Sequence, residues 1–449
     1  MKKQIKVSLT ATAALLALAG VAQAAPAELN IYGASAQYDY WNAQAENYAE
    51  TSLGCQATAP VNNGGKHGFV AATACTSTLV PVNAATGTRD LDIRYSGIAS
   101  AEGPLAADKK APLDSGLIVS STGNCNVANG ERAMYASSST TVCKQVHLGT
   151  SDVAGESLVQ SSSGKMFGPL DGGDFTVNLT GVDTTNLTPH NTVVVPFGFF
   201  VNAGVTARTC SAGLIGNYCT DNAQCDTGFE KGDGACDTAK TITNISRQEA
   251  NLLFGGWIYD WSDLGAYYTA KPAIACLRHA GSGTHSTLDN TVMYSGWGNN
   301  VAVAEEAGRI WFNQGSSDEM KCINGNDSTH ANGQLLGAIG YADGDQKIGE
   351  TGKSENVKQL KYNGYYPTRT AIRNGQYDFY SNAWLYSNQV NGSTVNAIAE
   401  DMIAYAQLGA NVPPKKANYW AAQGEMRWNR AADNAYPTYQ GGAADPQTP

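Results

Sequence analysis

The sequence predicts an α/β protein of two lobes, each built on a mostly parallel sheet flanked by helices. Three observations lead to this fold class. Short apolar segments alternate with segments of helical periodicity along the chain. The 449 residues exceed the length of one ordinary domain. Strand-like segments end repeatedly in turns of small residues that precede a helix.

Two such units open the chain. Residues 29–32 predict a strand, residues 33–37 a turn and residues 38–48 a helix with aromatic and apolar spacing. Residues 91–95 predict a second strand that runs into the turn 96–100. A helix start leaves backbone N–H groups unpaired, so the turn at residues 33–37 can face an anion.

The middle of the chain changes character. Residues 106–190 are rich in Ser, Thr and Gly and contain short alternating stretches, which predicts a β-rich insertion. An apolar strand follows at residues 192–201. Ser246 and Glu249 have the spacing of a capping box and predict a helix that ends at Gly255. Residues 336–343 predict a short buried strand.

The most informative segment is residues 278–284, which lie between an apolar strand and a predicted helix start. Gly281 and Gly283 allow the backbone to approach a ligand closely. Ser282 and Thr284 add hydroxyl donors, and Arg278 adds a planar fork that suits a tetrahedral oxyanion. This pattern indicates an anion site, although such turns also occur without a ligand. It is neither an NTPase phosphate loop nor a nucleophile elbow.

The first 24 residues have the pattern of a secretory signal, with a basic start, an apolar run and small residues before a cleavage position after Ala24. The residue directly after that position is Ala25 and not a cysteine, so we expect no lipid anchor. We therefore expect a periplasmic or secreted protein. The formal net charge of −10 excludes a general basic face for nucleic acid or anionic membranes.

Ten cysteines in an exported chain predict disulfides. Proximity along the chain predicts Cys55–Cys75, Cys125–Cys143 and Cys276–Cys322. The four cysteines within residues 210–236 predict two more bridges of open connectivity. No C-x-x-C pair or H-E-x-x-H motif is present in the sequence, so we expect neither a metal site nor a cofactor.

Taken in order, these segments resemble the phosphate-binding proteins of ABC transporters, which have the type II periplasmic binding fold. The resemblance is carried by Gly33-Ala34-Ser35-Ala36-Gln37-Tyr38, by residues 98–105 with Ala99-Ser100 and Glu102-Gly103-Pro104-Leu105, by residues 246–264, by the loop at residues 278–284 and by Ile339-Gly340-Tyr341. It implies two α/β lobes joined by two crossings, with the anion held in the cleft between them.

On this basis we expect residues 25–195 and 345–449 to form lobe 1, with the insertion 106–190. Residues 196–344 then form lobe 2, with the cysteine-rich loop 210–236. The binding residues implied by the resemblance are Arg278, Ser282, Gly283 and Thr284 from lobe 2, and Gln37, Tyr38, Glu102 and Ser100 from lobe 1.

The resemblance also implies capture of phosphate, by a monomer, for delivery to an ABC permease. Phosphate carries a proton that needs one acceptor in the site, whereas fully ionised sulfate needs donors only. Glu102 takes the place of the acceptor; if it points away and Ser100 faces the ligand, the site has donors only. Two other classes remain open: a secreted or surface interaction protein with the same fold, and a phosphoester hydrolase.

Overall fold

One long sheet organises the chain in the computed structural model, which describes residues 25–62, 66–113, 125–136, 140–167, 174–294, 303–304, 310–325 and 336–443. The predicted signal at residues 1–24 lies outside the described residues. No helix among those described is long and apolar enough to cross a bilayer.

The helices of the described residues are α1 (Tyr38–Thr51), α2 (Glu102–Ala107), α3 (Arg247–Phe254), α4 (Gly283–Thr287), α5 (Ser316–Asn324), α6 (Arg369–Arg373) and α7 (Ser393–Ala406). The strands up to the middle of the chain are β1 (Ala27–Gly33), β2 (Gln56–Ala57), β3 (Val61–Asn62), β4 (His67–Thr73), β5 (Leu91–Gly97), β6 (Glu131–Tyr135), β7 (Thr141–Gln145), β8 (Leu148–Ser151), β9 (Val159–Phe167), β10 (Asp174–Thr180) and β11 (Thr188–Asn202).

The later strands are β12 (Thr206–Ala207), β13 (Cys210–Ala212), β14 (Ala235–Cys236), β15 (Lys240–Thr241), β16 (Asn244–Ile245), β17 (Ile274–Arg278), β18 (Ile310–Asn313), β19 (Ala338–Asp343), β20 (Val357–Gln359), β21 (Lys361–Tyr362), β22 (Tyr380–Ser387), β23 (Ala421–Ala422), β24 (Trp428–Asn429) and β25 (Thr438–Tyr439).

The strand order repeats in the two halves of the sheet. In the first half, β5, β1 and β8 are parallel neighbours, and β22 joins β8 in the antiparallel direction. In the second half, β18, β17 and β19 are parallel neighbours, and β11 joins β19 in the antiparallel direction. Each half therefore contains a parallel core closed by an antiparallel strand that arrives from the other half.

The strand β11 belongs to both halves. Its first part, up to Pro196, pairs with β22, and its second part, from Phe197, pairs with β19 and β20. The chain crosses back between β19 and β22. Two α/β halves joined by two crossings confirm the predicted fold class, the type II periplasmic binding fold.

The strands within residues 106–190, the range predicted as an insertion, are divided between the two halves of the sheet. The strand β8 is a central strand of the first half, and β9 pairs in parallel with β18 of the second half. Only the β6–β7 hairpin forms a separate small sheet within the described part of this range. The prediction missed β8 because four residues, Leu148-Gly149-Thr150-Ser151, contain only one apolar side chain of any size.

The disulfide predictions are confirmed for Cys55–Cys75, Cys125–Cys143 and Cys276–Cys322. The cysteine-rich loop closes through Cys210–Cys225 and Cys219–Cys236, a connectivity that the sequence left open. The capping box of Ser246 and Glu249 at the start of α3 is also confirmed.

Removal of the Cys276–Cys322 bridge should destabilise the protein, because it ties β17 to α5. Loop-closure entropy for a separation of 46 residues predicts a loss of about 4 kcal/mol for the double Ser variant. The matched control is Cys125→Ser with Cys143→Ser, whose shorter loop predicts about 3 kcal/mol.

Urea unfolding measures the free energy of unfolding of both variants. We expect the Cys276/Cys322 variant to lose about 1 kcal/mol more than the control, because its bridge closes the longer loop. Equal losses in the two variants would contradict this dependence on loop length.

Candidate oxyanion site

Three parallel strands of the first half end at one edge of the sheet. The strand β1 leads into a 3-10 turn, Ser35–Gln37, and then into α1. The strand β5 is followed by Ser100, and β8 is followed directly by Asp152. In open α/β sheets, ligands bind outside the carboxyl ends of parallel strands. The side chains of Gln37, Ser100 and Asp152 meet at this edge.

The carboxylate of Asp152 is the centre of this group. Its Oδ2 accepts a hydrogen bond from Ser100 Oγ at 3.0 Å, and its Oδ1 accepts one from Gln37 Nε2 at 3.3 Å. The backbone N–H of Asp152 donates to Ser100 Oγ at 3.1 Å, so the two residues fix each other. Burial raises the pKa of Asp152 to about 6, although these hydrogen bonds work in the opposite direction.

The two predicted donors at the start of α1 already have partners. Besides Asp152, the Gln37 amide donates to Ser151 O at 3.1 Å, and its Oε1 accepts from Trp41 Nε1 at 2.9 Å. The N–H of Tyr38 donates to Ser35 O, and its hydroxyl donates to His67 O at 2.8 Å. Gln37 therefore holds Asp152, and Tyr38 packs the turn.

Glu102 is not at this site, which makes the expected acceptor wrong. It begins α2, is fully buried, and accepts a hydrogen bond from the N–H of Leu113 at 2.8 Å. Its Oε2 lies 3.4 Å from Arg132 Nε in a buried ion pair. The extra residue between Ser100 and Glu102 moves this carboxylate into the interior, where burial raises its pKa.

The second half contributes Arg278, the last residue of β17, which is 3% exposed. Its Nη2 donates to Gln314 O at 2.8 Å and its Nη1 to Ser316 Oγ at 3.2 Å, so the end of β18 and the start of α5 orient the guanidinium. Its Nε is buried and makes no hydrogen bond within the described part of the chain. An Nε without a partner leaves one charged donor for a ligand.

Buried groups behind β17 fix the end of that strand. The N–H of Arg278 donates to the Tyr341 hydroxyl at 3.1 Å, and that hydroxyl lies 2.5 Å from His285 Nδ1. Glu319 accepts from the N–H of Tyr341 at 3.0 Å, and burial raises its pKa to about 8. Burial and the neighbouring Arg278 lower the pKa of His279 to about 4. At neutral pH, protonated Glu319 and neutral His279 therefore add no charge beside Arg278.

The hairpin of β9 holds the loop that follows Arg278. The N–H of Ala280 donates to Ser162 Oγ at 2.7 Å, and the N–H of Gly281 donates to Gln160 Oε1 at 3.0 Å. Gly281 has a φ of 86°, which favours glycine. Its carbonyl accepts a hydrogen bond from the N–H of Ala101 at 3.3 Å, which joins the two halves of the molecule.

The start of α4 faces the Asp152 group. Ser282 is its N-cap, and the N–H groups of Gly283 and Thr284 make no backbone hydrogen bond to another described residue. A π-helical turn, Leu288–Val292, continues α4. A Cβ at Gly283 would lie 2.0 Å from Ser100 Oγ and 2.5 Å from Asp152 Oδ2. Glycine is therefore required where the two halves touch.

Six of the predicted residues meet at the junction of the two halves: Arg278, Ser282, Gly283, Thr284, Gln37 and Ser100. Tyr38 lies beside them at the start of α1. Glu102 points into the interior and is not among them. Sequence reasoning missed Asp152, Gln160 and Ser162. The available signal for Asp152 was a carboxylate directly after a short strand-like segment, which the surrounding Ser- and Thr-rich composition concealed.

Comparisons with known proteins find this chain similar to several solved structures at low identity. A phosphate ABC transporter substrate-binding protein from Clostridium perfringens, solved with bound phosphate, is 12% identical, with a TM-score of 0.44, 87% of this chain and 98% of that chain covered. An ABC-type phosphate transport receptor from Vibrio cholerae is 12% identical, with a TM-score of 0.41 and coverages of 84% and 93%.

A phosphate-binding protein from Stenotrophomonas maltophilia is 13% identical, with a TM-score of 0.41 and coverages of 86% and 84%. No protein-family model matches the chain, and a search of curated proteins found no match. The strand order of the two halves shows the fold independently of these structures.

Gly283→Ala should abolish tight oxyanion binding without unfolding the protein, because the new Cβ meets Ser100 and Asp152 from the other half. We expect an affinity loss of about 100-fold or more, equivalent to about 3 kcal/mol. The control is Gly315→Ala at the start of α5, where the nearest heavy atom would be Asp318 Oδ2 at 3.7 Å. Titration of both variants with phosphate is the measurement, and equal affinities would contradict the close contact of Gly283 with the other half.

Asp152→Asn should change the pH dependence of stability. The pKa of Asp152 is about 6 in the folded protein and about 3.9 in an unfolded chain. At a pH between these two pKa values, the folded protein binds a proton at Asp152 that the unfolded chain does not. This proton uptake makes the free energy of unfolding largest below about pH 4, and the contribution is lost as the pH rises through about 6. The wild-type protein should lose up to about 3 kcal/mol relative to Asp152→Asn between pH 4 and pH 7. Urea unfolding of both proteins across this range measures it; a constant difference would show that Asp152 is not a buried titrating group.

Proposed function

We propose that this chain is an exported solute-binding protein that captures a tetrahedral oxyanion, phosphate in particular, for delivery to an ABC permease. One observation carries the proposal: the Asp152 carboxylate and the loop from Arg278 to Thr284 face each other across the junction of the two halves. Each belongs to the carboxyl ends of parallel strands, where an anion meets helix starts and strand-end side chains.

The groups at this junction combine several donors with one acceptor. The donors are Arg278 Nε, the N–H groups of Gly283 and Thr284, and the hydroxyls of Ser282 and Thr284. The Ser100 hydroxyl already donates to Asp152. The acceptor is Asp152, in place of Glu102. A protonated phosphate can donate to this carboxylate, whereas fully ionised sulfate is repelled by it. The arrangement thus favours phosphate or arsenate.

Capture follows from the two crossings. The β11 strand and the return segment between β19 and β22 connect the halves, so a change in their torsions opens or closes the junction. We take residues 25–195 with 345–449 and residues 196–344 as the two lobes, with the β9–β10 hairpin packed on lobe 2. A ligand that bridges Asp152 and Arg278 favours the closed state because it contacts both lobes.

We also propose a compartment and a partner for this protein. Five disulfides suit an oxidising compartment such as the periplasm. An ABC permease would recognise the closed monomer, whose two lobes then present one fixed surface. The protein binds its ligand without turnover, so it should release no product from a chromogenic phosphate ester.

Calorimetric titration with phosphate and sulfate tests the proposal through the acceptor. Wild-type protein stripped of bound anion should prefer phosphate by about 100-fold or more, equivalent to about 3 kcal/mol. Asp152→Asn should reduce this preference at least about tenfold, because the substitution removes the charge that repels sulfate. The control is Glu102→Gln, a buried carboxylate outside the site, which should keep the wild-type preference.

Two results would contradict the proposal. If neither anion binds the wild-type protein, the junction is not an oxyanion site. If Glu102→Gln rather than Asp152→Asn changes the preference, Asp152 is not the acceptor. Circular dichroism of each variant at the titration temperature establishes that it is folded, which matters for Glu102→Gln because Arg132 loses its buried partner.

A further inference from the structure

A cleft of about 830 Å³ opens beside the candidate oxyanion site. Its walls come from α1 and β3 on one side, and from residues 343–350 and 413–419 on the other. An inorganic oxyanion has five heavy atoms, whereas clefts of about 300–1,000 Å³ are typical for small organic ligands. The space therefore exceeds what phosphate alone requires.

Asp343 links this cleft to the oxyanion site. The parallel strands β17 and β19 pair with Ala275 opposite Ile339, so Arg278 and Asp343 reach the same edge of the sheet. Asp343 lines the cleft, and its buried Oδ1 makes no hydrogen bond to another described residue. Burial raises the pKa of Asp343, while Lys66, Lys416 and Arg278 lie close enough to oppose that effect. Its Oδ1 can accept a hydrogen bond from a ligand.

The charges that line the cleft restrict the chemistry of that ligand. Five carboxylates face three ammonium groups there: Asp39, Glu46, Asp343, Asp345 and Glu350 against Lys347, Lys415 and Lys416. Asp345 holds Lys416 at 2.6 Å, which neutralises one of the three. A second phosphate would be repelled by this surplus of carboxylates, whereas hydroxyl or ammonium donors would find acceptors.

The geometry points to a phosphate monoester with a small, donor-bearing organic group as a ligand of this protein. This inference rests on the proposed function, since the phosphoryl group would occupy the junction of Asp152 and Arg278. The organic group would extend past Asp343 into the cleft between α1 and residues 413–419, and one of its hydroxyl or ammonium groups would donate to Asp343 Oδ1.

The protonation state of Asp152 is compatible with a phosphate monoester in the oxyanion site. The second ionisation of a phosphate monoester has a pKa of about 6, and the pKa of Asp152 is also raised to about 6. Near pH 6 about half of such an ester is therefore present as the monoanion, which still carries a proton that it can donate to Asp152. The acceptor role assigned to Asp152 thus accommodates both inorganic phosphate and its esters.

Competition between ligands provides the first test. Protein stripped of bound anion is titrated with inorganic phosphate, glycerol 3-phosphate and glucose 6-phosphate at about pH 6, near the second ionisation of the esters. We expect at least one monoester to bind about as tightly as phosphate or up to about tenfold tighter, a gain of about 1.4 kcal/mol. If phosphate binds and both monoesters bind about 100-fold more weakly, the inference is overturned and the proposed function stands. If none of the three binds, both fail.

A cleft-filling variant provides the second test. Ala43 of α1 lines the cleft, and Ala43→Phe places a ring in the space assigned to the organic group. We expect the affinity for the monoester to fall about tenfold or more, while the affinity for inorganic phosphate changes less than about threefold. The matched control, Ala397→Phe on the exposed face of α7, should change neither affinity. Equal losses for the ester and for phosphate in Ala43→Phe would overturn the assignment of the cleft.

Discussion

The burial of two opposite charges at one junction, Asp152 at 2% and Arg278 at 3% exposure, constrains the surrounding structure. Each ion removed from water costs several kcal/mol unless fixed hydrogen bonds replace its hydration. Asp152 obtains these from Gln37 and Ser100, and Arg278 from Gln314 and Ser316. The ends of β1, β5, β8, β17 and β18 must therefore lie where they do, because each delivers one of these groups.

The same requirement explains the closeness of the two halves. Glycine at residue 283 lets a helix start approach the Asp152 carboxylate, and the Ala101–Gly281 hydrogen bond joins the halves nearby. Opening the junction exposes both charges to water, while closing it requires something to replace that water. A bound oxyanion replaces the water at both Asp152 and Arg278. Ligand binding therefore favours closure of the two halves.

Much of the fold could be predicted from local sequence. The strands β1 and β11 lie within a few residues of their predicted positions. Three disulfides could be predicted because each joins two cysteines that are consecutive along the chain, and the entropic cost of closing a loop grows only slowly with its length. The strand β8 could not be predicted, because its residues are small and polar and derive their place from β1 and β22 on either side. For the same reason, the range predicted as an insertion included this central strand.

The sequence by itself determined the chemistry of the loop from Arg278 to Thr284, since its glycines, hydroxyls and guanidinium are contiguous and local geometry suffices to align them. Only the tertiary structure decided which carboxylate faces that loop. Asp152 is separated from Ser100 by 52 residues and from Gln37 by 115 residues, and these hydrogen bonds exist only after the strands have paired. Glu102, closer in sequence to the expected position, is drawn into the interior by Arg132. Hydrogen bonds between distant strand ends depend on the register of the whole sheet, which no short segment specifies.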